Sequence, residues 1–218
     1  ITNVLTLVLT IIVVPIEWFR KMLPQAQKTT VTRDELAVLA DIGEEEGTIE
    51  EDEEKVILNL LRLAEINIEE IMTPRVVVTA FPAEYTVFQV LEEQPVLRVS
   101  RIPVFGESID ELLGFVIRSE ILMAASKDER DTKLGELMKP LDSVNESDSV
   151  DHLLDLFIKK KQQIMAVVDE FGGTSGIVTL EDAIETLLGE EIVDETDEAE
   201  DMREVALAQS TNGVPESE

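Results

Sequence analysis

The feature that most constrains this chain is that its middle is written twice. Ile71-Met-Thr-Pro74 opens one copy and Leu137-Met-Lys-Pro140 opens the other. Each is followed by a short extended stretch and then a helical pattern, Tyr85 to Glu93 in the first copy and Asp148 to Lys161 in the second. A strand comes next, Arg101-Ile-Pro-Val-Phe105 against Gln163-Ile-Met-Ala-Val167, and then Gly114-Phe-Val-Ile117 against Gly176-Ile-Val-Thr179. Ile102 to Gly114 and Ile164 to Gly176 both span twelve positions, and a helix closes each copy, Ser119 to Ala125 and Leu180 to Leu188. The first copy carries four extra residues ahead of its central strand, around Pro95. A repeat of this kind is one supersecondary unit used twice. The pattern predicts an α+β fold built of two β-α-β-β-α units, residues 68–130 and 131–192. Each unit is expected to half-bury its own sheet and to need the other to cover it.

The stretch with most chemical content is Gly176 to Glu185. It reads as the end of a buried strand, a tight passage and the first turn of a helix. Thr179 stands at the N-cap and Asp182 three residues later, the spacing of a capping box. The same geometry offers free N–H groups and a positive dipole end to an anion. Thr179 then adds a hydroxyl for phosphate, and Asp182 an acceptor for sugar hydroxyls. Both readings fit the spacing. In the first copy Ile117 and Glu120 occupy the matching positions.

The flanks differ in texture. Ile1 to Ile16 carries no charge and is followed by Trp18-Phe19 and then Arg20-Lys21. Aromatic residues and then cations fit the inner end of a membrane helix, which puts the downstream chain on the cytoplasmic side. Residues 1–23 are therefore expected to be the end of a transmembrane region, and the opening Ile1 suggests that the apolar run starts further upstream. Residues 24–67 read as a small acidic helical unit. Thr32-Arg-Asp-Glu35 is a capping box opening a short helix that Gly43 is expected to stop, and Thr48-Ile-Glu-Glu51 is expected to cap a longer one. Residues 193–218 read as an acidic tail with little to bury.

Several classes are disfavoured by content. A net charge of −29 opposes nucleic-acid binding, which needs Lys and Arg to displace counterions. The absence of Cys removes thiolate metal sites and cysteine nucleophiles, and a single His, His152, removes multi-histidine sites. His152 lies among Asp148, Asp151 and Asp155 and reads as a surface residue. Phe171-Gly-Gly173 lacks the Lys of a P-loop and reads as a hairpin turn. Met72 and Met138 read as packing, Lys159-Lys-Lys161 as a helix C-terminal charge cap, and Arg101 either as an ion-pair partner or as a ligand contact. No poised base or nucleophile accompanies Thr179 and Asp182, so hydrolysis lacks its acid/base pair.

With these motifs in hand, the paired repeats resemble tandem CBS domains. More narrowly, Glu70-Ile-Met-Thr-Pro-Arg75, Ser100-Arg-Ile-Pro-Val104, Val168-Asp-Glu-Phe-Gly-Gly173 and Thr179-Leu-Glu-Asp182 through Leu188-Gly-Glu-Glu-Ile192 resemble the CNNM/CorC family, hemolysin-like membrane proteins linked to magnesium and cobalt transport. The resemblance implies a homodimer formed through the CBS repeats and tethered to its own transmembrane domain. It implies ATP with Mg²⁺ in one cleft, with no catalytic residue. Thr179 would meet phosphate and Asp182 the ribose hydroxyls. Arg101, Ile102 and Pro103 would bring a cation and backbone groups, and Thr73 and Val77 would line the base. Relatives often place an aromatic or His residue where Val99 stands, which removes one stacking partner. The competing readings are a nucleotide-hydrolysing enzyme and a nucleotide-sensing membrane protein that transports nothing.

Overall fold

Residues 31–189 are described in this computed structural model. The membrane reading of residues 1–23 and the tail reading of 193–218 fall outside them. Among the described residues no helix is long and apolar enough to cross a membrane.

The described chain opens with a helical hairpin, α1 (Arg33–Glu45) and α2 (Glu51–Arg62). The box at Thr32 forms: Glu35 N–H donates to Thr32 Oγ1 at 3.2 Å, and Thr32 N–H donates to Glu35 Oε2 at 3.0 Å. Two details differ from expectation. Gly43 does not stop α1, which runs on to Glu45, and the left-handed residue is Gly47 at φ +71°. Nor does Thr48 cap α2. Its N–H and hydroxyl both donate to Gly43 O, at 2.9 and 2.8 Å, so it closes the turn instead. The N-cap is Glu50, whose N–H donates to Glu53 Oε2 at 2.9 Å. Glu51 to Glu54 then fill the first turn of α2, where the helix dipole favours negative charge. The C-terminal half of α2 turns toward the repeats. Asn59 Nδ2 donates to Leu187 O at 3.2 Å, and Leu63, just beyond the helix, is buried. By contrast α1 leaves Leu36, Val38, Leu39 and Ile42 exposed.

The repeats come next. The first contains β1 (Thr73–Pro74), β2 (Phe81–Pro82), α3 (Val87–Glu93), β3 (Arg101–Phe105), β4 (Leu112–Ile117) and α4 (Arg118–Ser126). The second contains α5 (Leu134–Leu137), β5 (Lys139–Pro140), β6 (Ser143–Asn145), α6 (Val150–Lys160), β7 (Ile164–Val168), β8 (Thr174–Thr179) and α7 (Leu180–Leu188). Each β-hairpin slips register near the end of its central strand, at Val104/Phe105 and at Val167/Val168.

The sheets are not self-contained, which departs from the expectation set by the repeat. One has the order β2-β3-β4-β5 and the other β1-β8-β7-β6. The leading strand of each copy crosses over and completes the sheet of the other. Thr73 lies opposite Ile177 and Pro74 opposite Gly176, while Lys139 lies opposite Phe115 and Pro140 opposite Gly114. A two-residue strand containing proline belongs at a sheet edge, because proline has no N–H to give a further neighbour. The cores are exchanged in the same way. Ile68 and Ile71 pack with Leu153, Phe157, Met165 and Val178 of the second copy, and Leu134 packs with Phe81, Ile102, Val116 and Ile121 of the first. Full burial of such a side chain contributes about 1.5–3 kcal/mol, so the lead-ins tie the halves together strongly. Met72 and Met138 pack against these cores, in keeping with their reading as packing residues.

The exchange explains a glycine in each copy. A Cβ on Gly176 would fall far inside contact with Thr73 O, and one on Gly114 would collide with Lys139 O and the Met138 side chain. Only glycine lets the crossing strand come this close.

Candidate functional site

Strand β8 alternates strictly. Thr174, Gly176 and Val178 are buried, while Ser175, Ile177 and Thr179 point to the other face. Because Thr73 lies directly opposite Ile177, it shares that face with Thr179. The strand then runs into α7 without a loop. Thr179, at φ −113° and ψ 165°, is extended and serves as the N-cap.

The capping box forms in full. Asp182 Oδ2 accepts from Thr179 N–H at 2.7 Å and from Thr179 Oγ1 at 2.8 Å, and Asp182 N–H donates to Thr179 Oγ1 at 3.3 Å. One turn on, Thr186 Oγ1 donates to Asp182 O at 2.8 Å. Both side chains are half-buried. The cap therefore presets a carboxylate and a hydroxyl at the positive end of a nine-residue helix.

Arg101 comes from the other copy. It opens β3, opposite Ile117, and its Nη1 lies 4.0 Å from Glu181 Oε1 in the first turn of α7. Glu181 is 57% exposed and Arg101 25%. A pair this long and this wet is worth about 0–1 kcal/mol, so Arg101 is aimed at the N-terminus of α7 without being locked there. The structure thus brings Thr73, Arg101, Thr179 and Asp182 to one region between the sheets. Ile102 and Pro103 are different, since both side chains are buried and Ile102 belongs to the first core. They offer a ligand main chain at most. Val77 is half-buried in the turn after β1, where its N–H donates to Pro74 O at 3.0 Å.

The pseudo-equivalent cleft is built otherwise. Ile117 is the N-cap of α4 and gives no side-chain cap. Lys139 takes the register position of Thr73, and its Nζ lies 2.7 Å from Glu120 Oε1. Sequence reasoning missed both Lys139 and Glu181. The signals were present: Lys139 replaces Thr73 inside the repeated Met-x-Pro, and Glu181 sits within Thr179–Asp182.

The remaining candidates have ordinary roles. His152 is exposed, and its N–H donates to Asp151 Oδ1 at 2.8 Å. Asp169 Oδ1 accepts from the N–H groups of Phe171 and Gly173, both at 2.8 Å, and Gly172 sits at φ +84°, so this stretch is a hairpin turn. Among the described residues no group of three or more His, Cys, Asp or Glu side chains is placed to hold a metal ion.

Comparison with known proteins agrees with this architecture. The CBS domain family matches residues 134–189. The CBS domain of a bacterial CNNM/CorC family Mg²⁺ transporter superposes with a TM-score of 0.70 at 36% identity, covering 75% of this chain and 99% of that one. The chain belongs to the CNNM/CorC family. Another CNNM/CorC structure, solved in complex with ATP, superposes with a TM-score of 0.60 at 37% identity over 63% of this chain and 98% of that one. Among curated relatives, a UPF0053 protein of Synechocystis is 36% identical over 203 residues, 93% of this chain. The magnesium and cobalt efflux protein CorC of Salmonella typhimurium is 32% identical over 171 residues, 78% of this chain. The chain spans 58% of the length of each of these two curated relatives.

Proposed function

We propose that this CNNM/CorC chain is the cytoplasmic regulatory part of a divalent-cation transporter of the membrane, and that it binds ATP with Mg²⁺ between its CBS repeats. The observation that carries the reading is the convergence of Arg101 from one copy with Thr179 and Asp182 from the other. A cation, a hydroxyl and a carboxylate at a helix N-terminus suit the phosphate and ribose of one nucleotide. The structural relative solved with ATP supports the ligand class.

In this reading Thr179 gives its hydroxyl to phosphate and Asp182 accepts from the ribose diol. Arg101 turns from Glu181 to the phosphates, and Thr73 and Val77 flank the base, with main-chain help from Ile102 and Pro103. Mg²⁺ fits as the counterion. The first turn of α7 already carries Glu181 and Asp182, so a bare triphosphate meets like charge there. The metal supplies charge neutralisation at the phosphates when bound.

The arrangement binds rather than cleaves, because no general base or nucleophile flanks the pair. Coupling to the membrane domain would pass through a homodimer of CBS repeats and through the acidic helical hairpin. Exposed Phe88, Leu122 and Met123 on α3 and α4 offer an apolar face for a second copy. The exposed Leu36, Val38 and Leu39 of α1 offer another for the chain's own transmembrane domain.

Calorimetry tests the site. ATP should bind with Mg²⁺ and lose most of its affinity without it, and Thr179→Ala and Asp182→Ala should each weaken binding. Unchanged affinity in both folded variants would remove the site assignment. Phosphate release from Mg·ATP by pure protein would instead favour the hydrolase reading.

A further inference from the structure

Arg75 follows the crossing strand β1 directly and makes contacts that the nucleotide reading leaves unused. Its main chain continues the edge of the second sheet, with Arg75 N–H donating to Ser175 O at 2.9 Å. Its guanidinium reaches across to the first copy. Nη1 donates to Thr174 O at 3.4 Å and forms an ion pair with Asp110, in the turn between β3 and β4. Asp110 is braced in its turn. Ser108 Oγ donates to Asp110 Oδ2 at 2.9 Å, and Asp110 N–H donates to Ser108 Oγ at 3.1 Å. Thr174 Oγ1 donates to Asp110 O at 2.9 Å, and Thr174 is the only buried polar residue among the described residues. A buried hydroxyl needs a partner, so the carbonyl of Asp110 is fixed against the start of β8. The matching positions of the second copy are Leu141 and Gly172, which carry no charge. Only the crossing strand beside Thr179 has this clamp.

Resting on the nucleotide reading above, we infer that Arg75, clamped by Asp110, is a positioning residue that holds the base-flanking turn of the nucleotide site. Thr73 and Val77, the two residues assigned to the base, stand two positions before and two after Arg75. Residues 75–80 carry the chain from β1 on the second sheet to β2 on the first. Only short turn bonds stiffen this passage from within: Val77 N–H donates to Pro74 O at 3.0 Å and Val78 N–H to Arg75 O at 3.4 Å. The guanidinium adds the long-range restraint, because it ties the middle of the turn to the other sheet. A turn held in place before the ligand arrives loses less freedom on binding, and that saving appears as affinity. The ion pair is 49% exposed at Arg75 and 55% at Asp110, too wet to contribute much to global stability. Its removal therefore separates an effect on binding from an effect on folding.

The test measures Mg·ATP affinity by calorimetry in Arg75→Met, Asp110→Asn and the double variant, with thermal midpoints alongside. Arg75→Met should weaken binding about three- to tenfold while the midpoint stays nearly unchanged. Asp110→Asn keeps the main-chain oxygen that takes the Thr174 hydroxyl and should weaken binding by a similar factor. The double variant should lose no more than the larger single change, because both break one clamp. Combined with Arg101→Ala on the phosphate side, the Arg75→Met loss should instead multiply in full. Unchanged affinity in both folded single variants, or full multiplication within the Arg75/Asp110 pair, would overturn the inference. So would a loss of affinity that tracks a large fall in midpoint, which marks a structural role only. A wild-type chain that binds no Mg·ATP would overturn the nucleotide reading itself, and amide exchange then tests the clamp without a ligand. The Val77 and Val78 N–H groups should exchange faster in Asp110→Asn than in the wild-type chain, while the Gly189 N–H at the end of α7 keeps its rate. Equal exchange at Val77 and Val78 in the two proteins would show that Arg75 does not hold the turn. Asp110→Asn also carries the test if Arg75→Met fails to fold.

Discussion

The two clefts of this CNNM/CorC chain share one backbone plan and differ in how a helix end is satisfied. Both have a crossing strand laid over a glycine, a β-hairpin with a late register slip, and a helix that starts directly from the last strand. In the first, Thr179 and Asp182 satisfy the helix end locally, within three residues of sequence. In the second, Glu120 is satisfied by Lys139, nineteen residues away on another strand. A local cap is set by residues within one helical turn, whereas the ion pair depends on the crossing strand being in place. The same fold therefore satisfies one helix start from within its own turn and the other from a distant strand.

The largest expected effect removes what the clefts have in common. Gly176→Ala and Gly114→Ala each force a Cβ into the crossing strand, and overpacking of this kind costs about 2–3 kcal/mol. Urea denaturation should show similar losses, but only Gly176→Ala should also weaken ATP binding, because it displaces Thr73. A loss of binding in Gly114→Ala of the same size would mean that the clefts are not separate.

Next are the caps. Thr179→Ala should cost about 1 kcal/mol of stability by losing an N-cap. Ile117→Thr gives α4 the hydroxyl it lacks and should gain a few tenths to about 1 kcal/mol. Opposite shifts in thermal midpoint would confirm that the asymmetry lies at the caps.

The ion pair itself is worth less. Lys139→Met should change stability by about 1 kcal/mol or less, and the change should shrink in high salt. A loss several times larger, insensitive to salt, would make the pair a structural strut instead.

The smallest effect concerns pH. The helices after the short strands also cap differently in the two copies. α3 begins with Thr86 and Gln89, which exchange bonds at 2.8 and 3.3 Å and do not titrate. α6 begins with Ser149 and Asp151. The Ser149 hydroxyl, the His152 N–H and the nearby Arg33 hold the Asp151 carboxyl below its usual value, against a partial opposing effect of burial. A depressed carboxylate contributes stability above its unfolded pKa, and that contribution fades as pH falls through the folded pKa. Asp151→Asn should therefore lower stability slightly at neutral pH, leave the strongly acid end nearly unchanged, and so flatten the acid limb of the stability curve. An identical acid limb in the variant would mean that the folded and unfolded pKa values coincide.

Much of this was legible from residues close in sequence. The strands Arg101–Phe105 and Thr174–Thr179, the helix Leu180–Leu188 and the boxes at Thr32 and Thr179 arise from alternation, helical period and three-residue spacing, all of which act within a turn or a strand. The failures were local as well, at Gly43 and Thr48, where several side chains compete for the same few backbone groups. Spacing alone could not say that Gly43 O would take the Thr48 hydroxyl and leave Glu50 to cap.

What the order of residues could not contain is where each copy's first strand would go. A repeat specifies two similar units but not which edge a Pro-containing dipeptide will close, because that depends on which sheet edge is open once both have folded. The crossing carries Lys139 to Glu120 and sets Thr73 beside the β8–α7 junction, and the packing of the two halves aims Arg101 at Glu181. Those contacts join positions far apart in the chain, so they come from packing and not from pattern. The repeat supplied the parts of two clefts, the exchange of edges delivered Thr73 to one and Lys139 to the other, and those residues, with Thr179 and Ile117 at the two helix starts, make them unequal.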